Sequence, residues 1–431
     1  MTRMTDKLVL VLLALTASFS LAAPASAQEA ASPELRARAE QVVALLRGEG
    51  QPAEMFAPPF LAAVPEAQLR AVTQQLATQH GALRGLARLQ PSSATAGVIH
   101  VDMERAVLSL NLSIEAQPPH RITGLLVTGA AARAESLPEL IEELRTLPGQ
   151  VSFAVALLGE GAPEPIAGHE PDRALAIGSS FKLIILAELS RQIQAGERQW
   201  SDVVRLDRRS LPSGQLQSWP EGSPVTLHTL AALMISISDN TATDMLLHLV
   251  GRDNVERMMA TIGIEAAARN RPFLSTLEAF ALKTAAEETT AAWAAADEEG
   301  RRRLLAGSLA SVSPGDVDPA RFSGQPMRIG ELEWFASAND LVRVMDWLRR
   351  NGGETIRDIL AISPGAAGLT DDFGYVGYKG GSEPGVLNLT WLVRTVAGRW
   401  HVVTGSWNDA AAPIDEARFA GLMRRALQLV R

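Results

Sequence analysis

Ser179 and Lys182 stand three residues apart in "AIGSSFKLIILAEL", residues 176–189. On a helix that spacing puts both side chains on one face. A serine hydroxyl becomes a nucleophile when a neighbouring group takes its proton. A lysine can do so if burial or a second positive charge lowers its pKa. The residues that follow, Leu183, Ile184, Ile185 and Leu186, make the helix apolar nearly all round, as in a large core. A lysine at the mouth of such a helix is costly unless it is paired or used in chemistry. The bland alternative is a capping serine followed by a lysine that reaches out to solvent.

Two further polar groups complete a chemical set. Ser238-Asp239-Asn240 closes the apolar "LAALMISISDN", and Lys379-Gly380-Gly381-Ser382 stands near the start of an expected strand. Taken singly, the first reads as a cap or turn and the second as a hairpin. Taken together they divide the labour of acyl transfer. Ser179 is the nucleophile and Lys182 its base. Ser238 relays a proton to the leaving group, and Asn240 bonds Lys182 or a substrate amide. Lys379 lowers the Lys182 pKa by its charge and attracts an anionic substrate. The opening of the Ser179 helix offers a free backbone N–H to a developing oxyanion. The glycines after Lys379 let a substrate lie against strand backbone.

These residues need elements to position them. The chain has 431 residues, 47% hydrophobic and 20% charged, enough for a large core and two domains. A formal net charge of -8 argues against a nucleic-acid partner. The absence of cysteine excludes disulfides, cysteine nucleophiles and thiolate metal sites. No metal or cofactor motif is present. At the N-terminus Arg3 and Lys7 precede an apolar run that ends in Ala25-Ser26-Ala27, the pattern of a signal peptide over residues 1–27. The expected location is a bacterial periplasm or the medium, with no stable membrane insertion after cleavage.

Residues 28–140 read as helices followed by strands, a small α+β domain. The strands are "TAGVIHVDM", "AVLSLNLSIEA" and "HRITGLLVTGA". Residues 141–431 read as a second α+β unit. Its strands lie at both ends, in "VSFAVALLGE", "FGYVGYKGGSEPGVLNLTWLVRTVAG" and "RWHVVTGSW", and enclose a mostly helical middle. "GAPEPIAGHEPDRA" reads as turns.

The three motifs, in this order, resemble the S-x-x-K, S-D-N and K-T-G set of the serine β-lactamases and penicillin-binding proteins. "SDNTATDMLLHLVG", with Gly251 and Gly263 flanking the next helix, is closest to class A β-lactamases. The resemblance spans about residues 145 to 431. It implies a β-lactamase/transpeptidase-like fold, an antiparallel sheet with a helical subdomain. It also implies Ser179 as the acylated residue, Lys182 as base, Ser238 and Asn240 as relay and substrate contact, and Lys379 as the carboxylate-attracting residue. The amides of Ser179 and Ser382 would form the oxyanion hole, with Gly381 beside the substrate. A small leader domain together with "RPFLST" and "EWFASANDL" also resembles a clavam-biosynthesis-linked subgroup, whose leader is ketosteroid-isomerase-like. That implies an esterase-like activity.

Two departures shape the expected activity. Lys-Gly-Gly replaces Lys-Thr-Gly, so the hydroxyl that helps clamp a carboxylate is missing. Ser382 and Tyr378 are the candidates to replace it, although neither occupies the matching position, and a threonine at 380 should restore the grip. No glutamate falls in register with the family's deacylating residue in "ARNRPFLSTLEAF". Glu278, a few residues late, is the nearest candidate, and its spacing from Ser275 equally fits a capping box. The expectation is an exported serine hydrolase acting on a β-lactam, ester or related amide, with weak β-lactam turnover. The alternatives are a D-alanyl-D-alanine peptidase and a non-enzymatic penicillin- or peptidoglycan-binding module.

Overall fold

A computed structural model describes residues 31–132, 136–322, 324–365 and 369–431. The signal-peptide expectation for residues 1–27 lies outside them. The chain divides into two compact units, Met1–Ala132 and Arg133–Arg431.

The first unit packs helices α1 (Pro33–Leu46) and α2 (Glu66–His80) with an antiparallel sheet ordered β1-β2-β3-β4 (Leu83–Ser93, Ala96–Met103, Ala106–Ile114, Ile122–Ala132). Ser32 starts α1 by accepting the Leu35 amide, and Pro33 fits the first turn. Leu35, Ala39, Val42 and Val43 then recur at helical spacing and are buried with Ile99, Val101, Leu108 and Leu110. β1 lies outside the strands expected from sequence. It is an edge strand with broken register near Gly85, Arg88 and Ser93 and no clean alternation. It also holds Pro91, which an edge tolerates.

The second unit begins with α3 (Leu137–Arg145), β5 (Gln150–Leu158) and β6 (Glu164–His169). A 3₁₀ turn, Gly178–Phe181, leads into α4 (Lys182–Gln194). The middle is helical, with α5 (Leu227–Ser236), α6 (Asn240–Val250), α7 (Arg252–Ile262), α8 (Thr276–Thr284) and α9 (Ala338–Asn351). The chain then returns to β7 (Phe373–Glu383), β8 (Val386–Thr395), β9 (Trp400–Asn408) and the closing helix α10 (Glu416–Leu429). The sheet is antiparallel throughout, ordered β7-β8-β9-β5-β6. Its strands thus come from both ends of the unit. One face packs on α3 and α10, and the other faces the larger helical core around α4. β6 corrects the reading of "GAPEPIAGHEPDRA" as turns. It is a largely exposed edge strand with a proline, so no buried face marks it in the sequence.

Two local details differ from expectation at the site. α4 begins at Lys182, so the serines belong to the 3₁₀ turn before it. Lys379 lies past the middle of β7, not near its start.

Candidate active site

The nucleophile turn is fixed from three sides. Before it, the Asn408 side chain accepts from the Ala176 amide at 2.8 Å and donates to the Ala176 carbonyl at 2.9 Å. Within it, Ser180 Oγ donates to Asn388 Oδ1 at 2.6 Å, and Asn388 donates onward to Ser406 Oγ at 2.8 Å and the Gly405 carbonyl at 3.1 Å. All of these groups are buried, so each polar atom has to be paired. After it, Phe181 stacks on Trp334 with ring centroids 3.8 Å apart. Ser179 is left half-buried, lining a cleft of about 660 Å³. That is room for a small molecule.

Lys182 and Lys379 are both buried, at 0% and 3% exposure. Lys182 Nζ lies 2.6 Å from Asn240 Oδ1, 2.7 Å from the Ser238 carbonyl and 2.9 Å from Ser238 Oγ. Lys379 Nζ lies 3.1 Å from the same Ser238 Oγ and 2.5 Å from the Gly380 carbonyl. Ser238 therefore bridges the two lysines. Burial, then the charge of Lys379, hold the Lys182 pKa well below its ordinary value, against the weaker pull of Asp244 and Asp239. Burial pushes Lys379 down to about 7. A neutral amine at Lys182 is the form that can accept a proton.

The loop that delivers Ser238 is under conformational tension. Ser238 adopts a left-handed φ of 58°, a region costly for residues other than glycine and seen at functional sites. Asp239 holds the strain in place. Its carboxylate caps α6 through the Ala242 amide at 2.8 Å and accepts from the amides of Gln215 at 2.6 Å and Leu216 at 2.9 Å.

The other wall is the edge strand β7. Gly178 has a φ of 47°, and a Cβ there would stand 3.0 Å from the Ser382 amide nitrogen. A Cβ at Gly381 would collide with the Ser179 amide and the Ile177 carbonyl. These two glycines let the turn and the strand approach backbone to backbone. The Ser179 and Ser382 amides lie at this close approach, in two residues that line the cleft, where an oxyanion would be stabilised.

Ser179, Ser238, Asn240, Lys379, Gly381 and Ser382 all line one cleft, and Lys182 is bonded directly to two of them. Glu278 does not join them. It closes a capping box with Ser275 and accepts from Arg252 at 2.7 Å, away from the cleft lining. Burial would raise its pKa, but the charge and hydrogen bond of Arg252 and the bonds from Ser275 outweigh that and hold it low. Its place at the start of α8 follows from helix capping, so the suggested deacylating role has no geometry behind it. We expect Glu278→Gln to change deacylation by less than about tenfold, where loss of a working base costs ~100-fold or more. Single-turnover kinetics with a penicillin checks this.

Sequence reasoning missed a second ionic group in the same cleft. Lys283 donates to Glu333 and, at 2.6 and 2.7 Å, to both oxygens of Glu383. The Lys283 and Glu333 side chains are 1% and 2% exposed, and that of Glu383 is 14% exposed. Burial, then the neighbouring charge of Glu333, push Glu383 up to about 9, although Lys283 pulls the other way. Among the described residues no cluster of three or more His, Cys, Asp or Glu could hold a metal ion, and no helix is long and apolar enough to cross a membrane.

A cleft-lining serine, a buried lysine three residues on and a serine that bridges two lysines make an arrangement that can carry out serine acyl transfer, on an antiparallel sheet with a helical subdomain. Residues 133–302 match the family described as Beta-lactamase enzyme family, which supports the resemblance of this unit to the serine β-lactamases and penicillin-binding proteins. Among solved structures, a β-lactamase from Sphaerobacter thermophilus is 23% identical, over 68% of this chain and 95% of that one, with a TM-score of 0.48. The protein named PBP-A is 18% identical over 68% and 93%, with a TM-score of 0.47. A β-lactamase from Chitinophaga pinensis is 16% identical over 68% and 98%, with a TM-score of 0.46. No curated protein sequence matches the chain.

Proposed function

We propose that the second unit is a serine hydrolase that forms an acyl-enzyme on Ser179 with a β-lactam, ester or related amide and releases β-lactam products slowly. The observation that carries this is the buried Lys182 amine, bonded to Ser238 and Asn240 at the cleft that Ser179 lines and held below its ordinary pKa. Neutral Lys182 takes the Ser179 proton as Oγ bonds to the substrate carbonyl carbon. The amides of Ser179 and Ser382 stabilise the oxyanion. Ser238, in contact with Lys182, passes the proton to the leaving nitrogen or oxygen as its bond to carbon breaks. Water then cleaves the acyl-enzyme. Slow release is supported by the withdrawal of Glu278 into its cap. The same withdrawal favours a second reading, a D-alanyl-D-alanine peptidase that transfers its acyl group without a dedicated carboxylate. Export through residues 1–27 belongs to the same proposal.

Intact-protein mass spectrometry over time, with a fluorescent penicillin and a chromogenic short-chain ester, tests it. The expected result is a lasting mass shift with the penicillin, a transient one with the ester, and neither in Ser179→Ala. A lasting penicillin adduct without ester turnover indicates a binding module. Release of D-alanine from a D-Ala-D-Ala peptide indicates the peptidase. Labelling that survives Ser179→Ala overturns the assignment of the nucleophile.

A further inference from the structure

Gly380 stands where the related motif has a threonine, and the structure shows what fills that space. Tyr378 and Gly380 are two apart on β7, so they share a face of the strand. A Cβ built on Gly380 would fall on the Tyr378 hydroxyl, with Cζ of the ring at 2.8 Å and the Asn388 carbonyl at 3.2 Å. A threonine at 380 would therefore displace the phenol. Tyr378, one of the two replacements the sequence offers, thus stands beside that position.

The geometry points to Tyr378 as a specificity-determining residue, whose phenol donates a hydrogen bond to the carboxylate of a substrate held by Lys379. This rests on the acyl-transfer reading of the Ser179 cleft. Two polar ends converge on one residue. Tyr378 Oη lies within clash distance of where a Cβ of residue 380 would stand, and Lys379 Nζ lies 2.5 Å from the Gly380 carbonyl. Both residues line the cleft with Ser179 and Ser238. None of the hydrogen bonds found among the described residues engages the Tyr378 hydroxyl.

The ring cannot swing away freely. It packs on Trp391 with centroids 4.9 Å apart, and Trp391 is itself tied to the Pro364 carbonyl at 3.0 Å. On another side Gly365 presses so closely that a Cβ there would lie 2.5 Å from a ring carbon. Burial, then the charge of Glu416, push the phenol up to about 12, so it stays protonated and donates near neutral pH. The hydroxyl is thus delivered from a rigid ring rather than from a short side chain. A threonine at 380 would require the Tyr378 side chain to shift against this packing.

The test uses penicillin G and its methyl ester, which differ only in the carboxylate. Hydrogen bonds to charged groups contribute about 1.5–3 kcal/mol, tenfold or more in binding. Tyr378→Phe keeps the ring and removes one oxygen. It is expected to lower the second-order acylation rate for penicillin G by roughly tenfold or more, and that for the methyl ester by less than about twofold. Gly380→Thr alone is expected to weaken, not improve, the reaction with penicillin G. Affinity for intact penicillin G is measured separately in Ser179→Ala and in Ser179→Ala/Tyr378→Phe, which reads carboxylate binding whether or not acylation occurs. A similar loss for both ligands, or no loss for penicillin G, overturns the role of Tyr378. Loss of labelling at Ser179 in the unmodified chain, with the affinity difference intact, overturns only the acyl-transfer reading.

Discussion

Acylation of Ser179 by a penicillin or a short-chain ester is expected to slow by roughly 10²–10⁴-fold in Lys182→Ala, the range for a positioned proton acceptor. Lys182 is enclosed, and its amine is bonded to the Ser238 carbonyl and hydroxyl and to Asn240. Its low pKa has two causes that can be separated. Burial is the larger, and the charge of Lys379 adds to it. Lys379→Met should therefore leave most of the base function in place while weakening carboxylate binding. Stopped-flow acylation of an uncharged ester in both variants checks this division. An unchanged rate in Lys182→Ala would move the proton acceptor to Ser238 or elsewhere.

Lys283→Met is expected to cost about 3–5 kcal/mol of stability at neutral or higher pH, the range for leaving a buried charge without its partner. Glu383 already holds a proton at neutral pH, so the charge left without its partner would be that of Glu333. Acid should soften the loss, because protonated carboxyls can share hydrogen bonds. In the unmodified chain, Glu383 has a folded-state pKa raised to about 9 from an ordinary 4.5. Between those values the folded state holds a proton that the unfolded state has lost. Its contribution is therefore complete below about pH 4.5 and is lost as pH rises toward 9. Urea denaturation from pH 5 to 9 should show stability falling with pH, with a flatter profile in Glu383→Gln. Replacing all three groups by neutral ones of similar size should recover much of the loss. A Lys283→Met protein as stable as its parent at pH 8 would show that water, not Lys283, compensates the carboxylates.

How legible these features were in the sequence depended on what kind of signal each left. Ser179, Lys182, Ser238, Asn240 and Lys379 stand out because their side chains carry chemistry and sit beside apolar runs. The structure brings Lys182, Ser238, Asn240 and Lys379 within one hydrogen-bonded group, and Ser179 lines the same cleft. The Lys283 group has no such signal. Its members are 50 and 100 residues apart and meet only through the fold. Asn388 was equally hidden, since its role follows from lying opposite Gly381 in the β7–β8 register. Tyr378 was a candidate beside Ser382, and strand alternation alone puts it on the same face as Gly380. β1 and β6 were missed for a common reason. Edge strands bury too little of either face to alternate clearly, and both contain a proline.

The close approach of Gly178 and Gly381 divides this cleft into parts that age differently under mutation. The two amides that would polarise a carbonyl belong to the main chain, so no exchange of side chains can delete them. Their spacing is guarded at two positions where any larger residue would wedge the turn from the strand. The proton-handling groups are ordinary side chains and can be exchanged one at a time. A descendant of this chain can therefore lose or relocate its base, its relay and its anion contact while still inheriting the electrophile-activating half of the apparatus. Such a scaffold can move between acyl-transfer chemistries by small steps, and its point of no return is a single β-carbon at position 178 or 381.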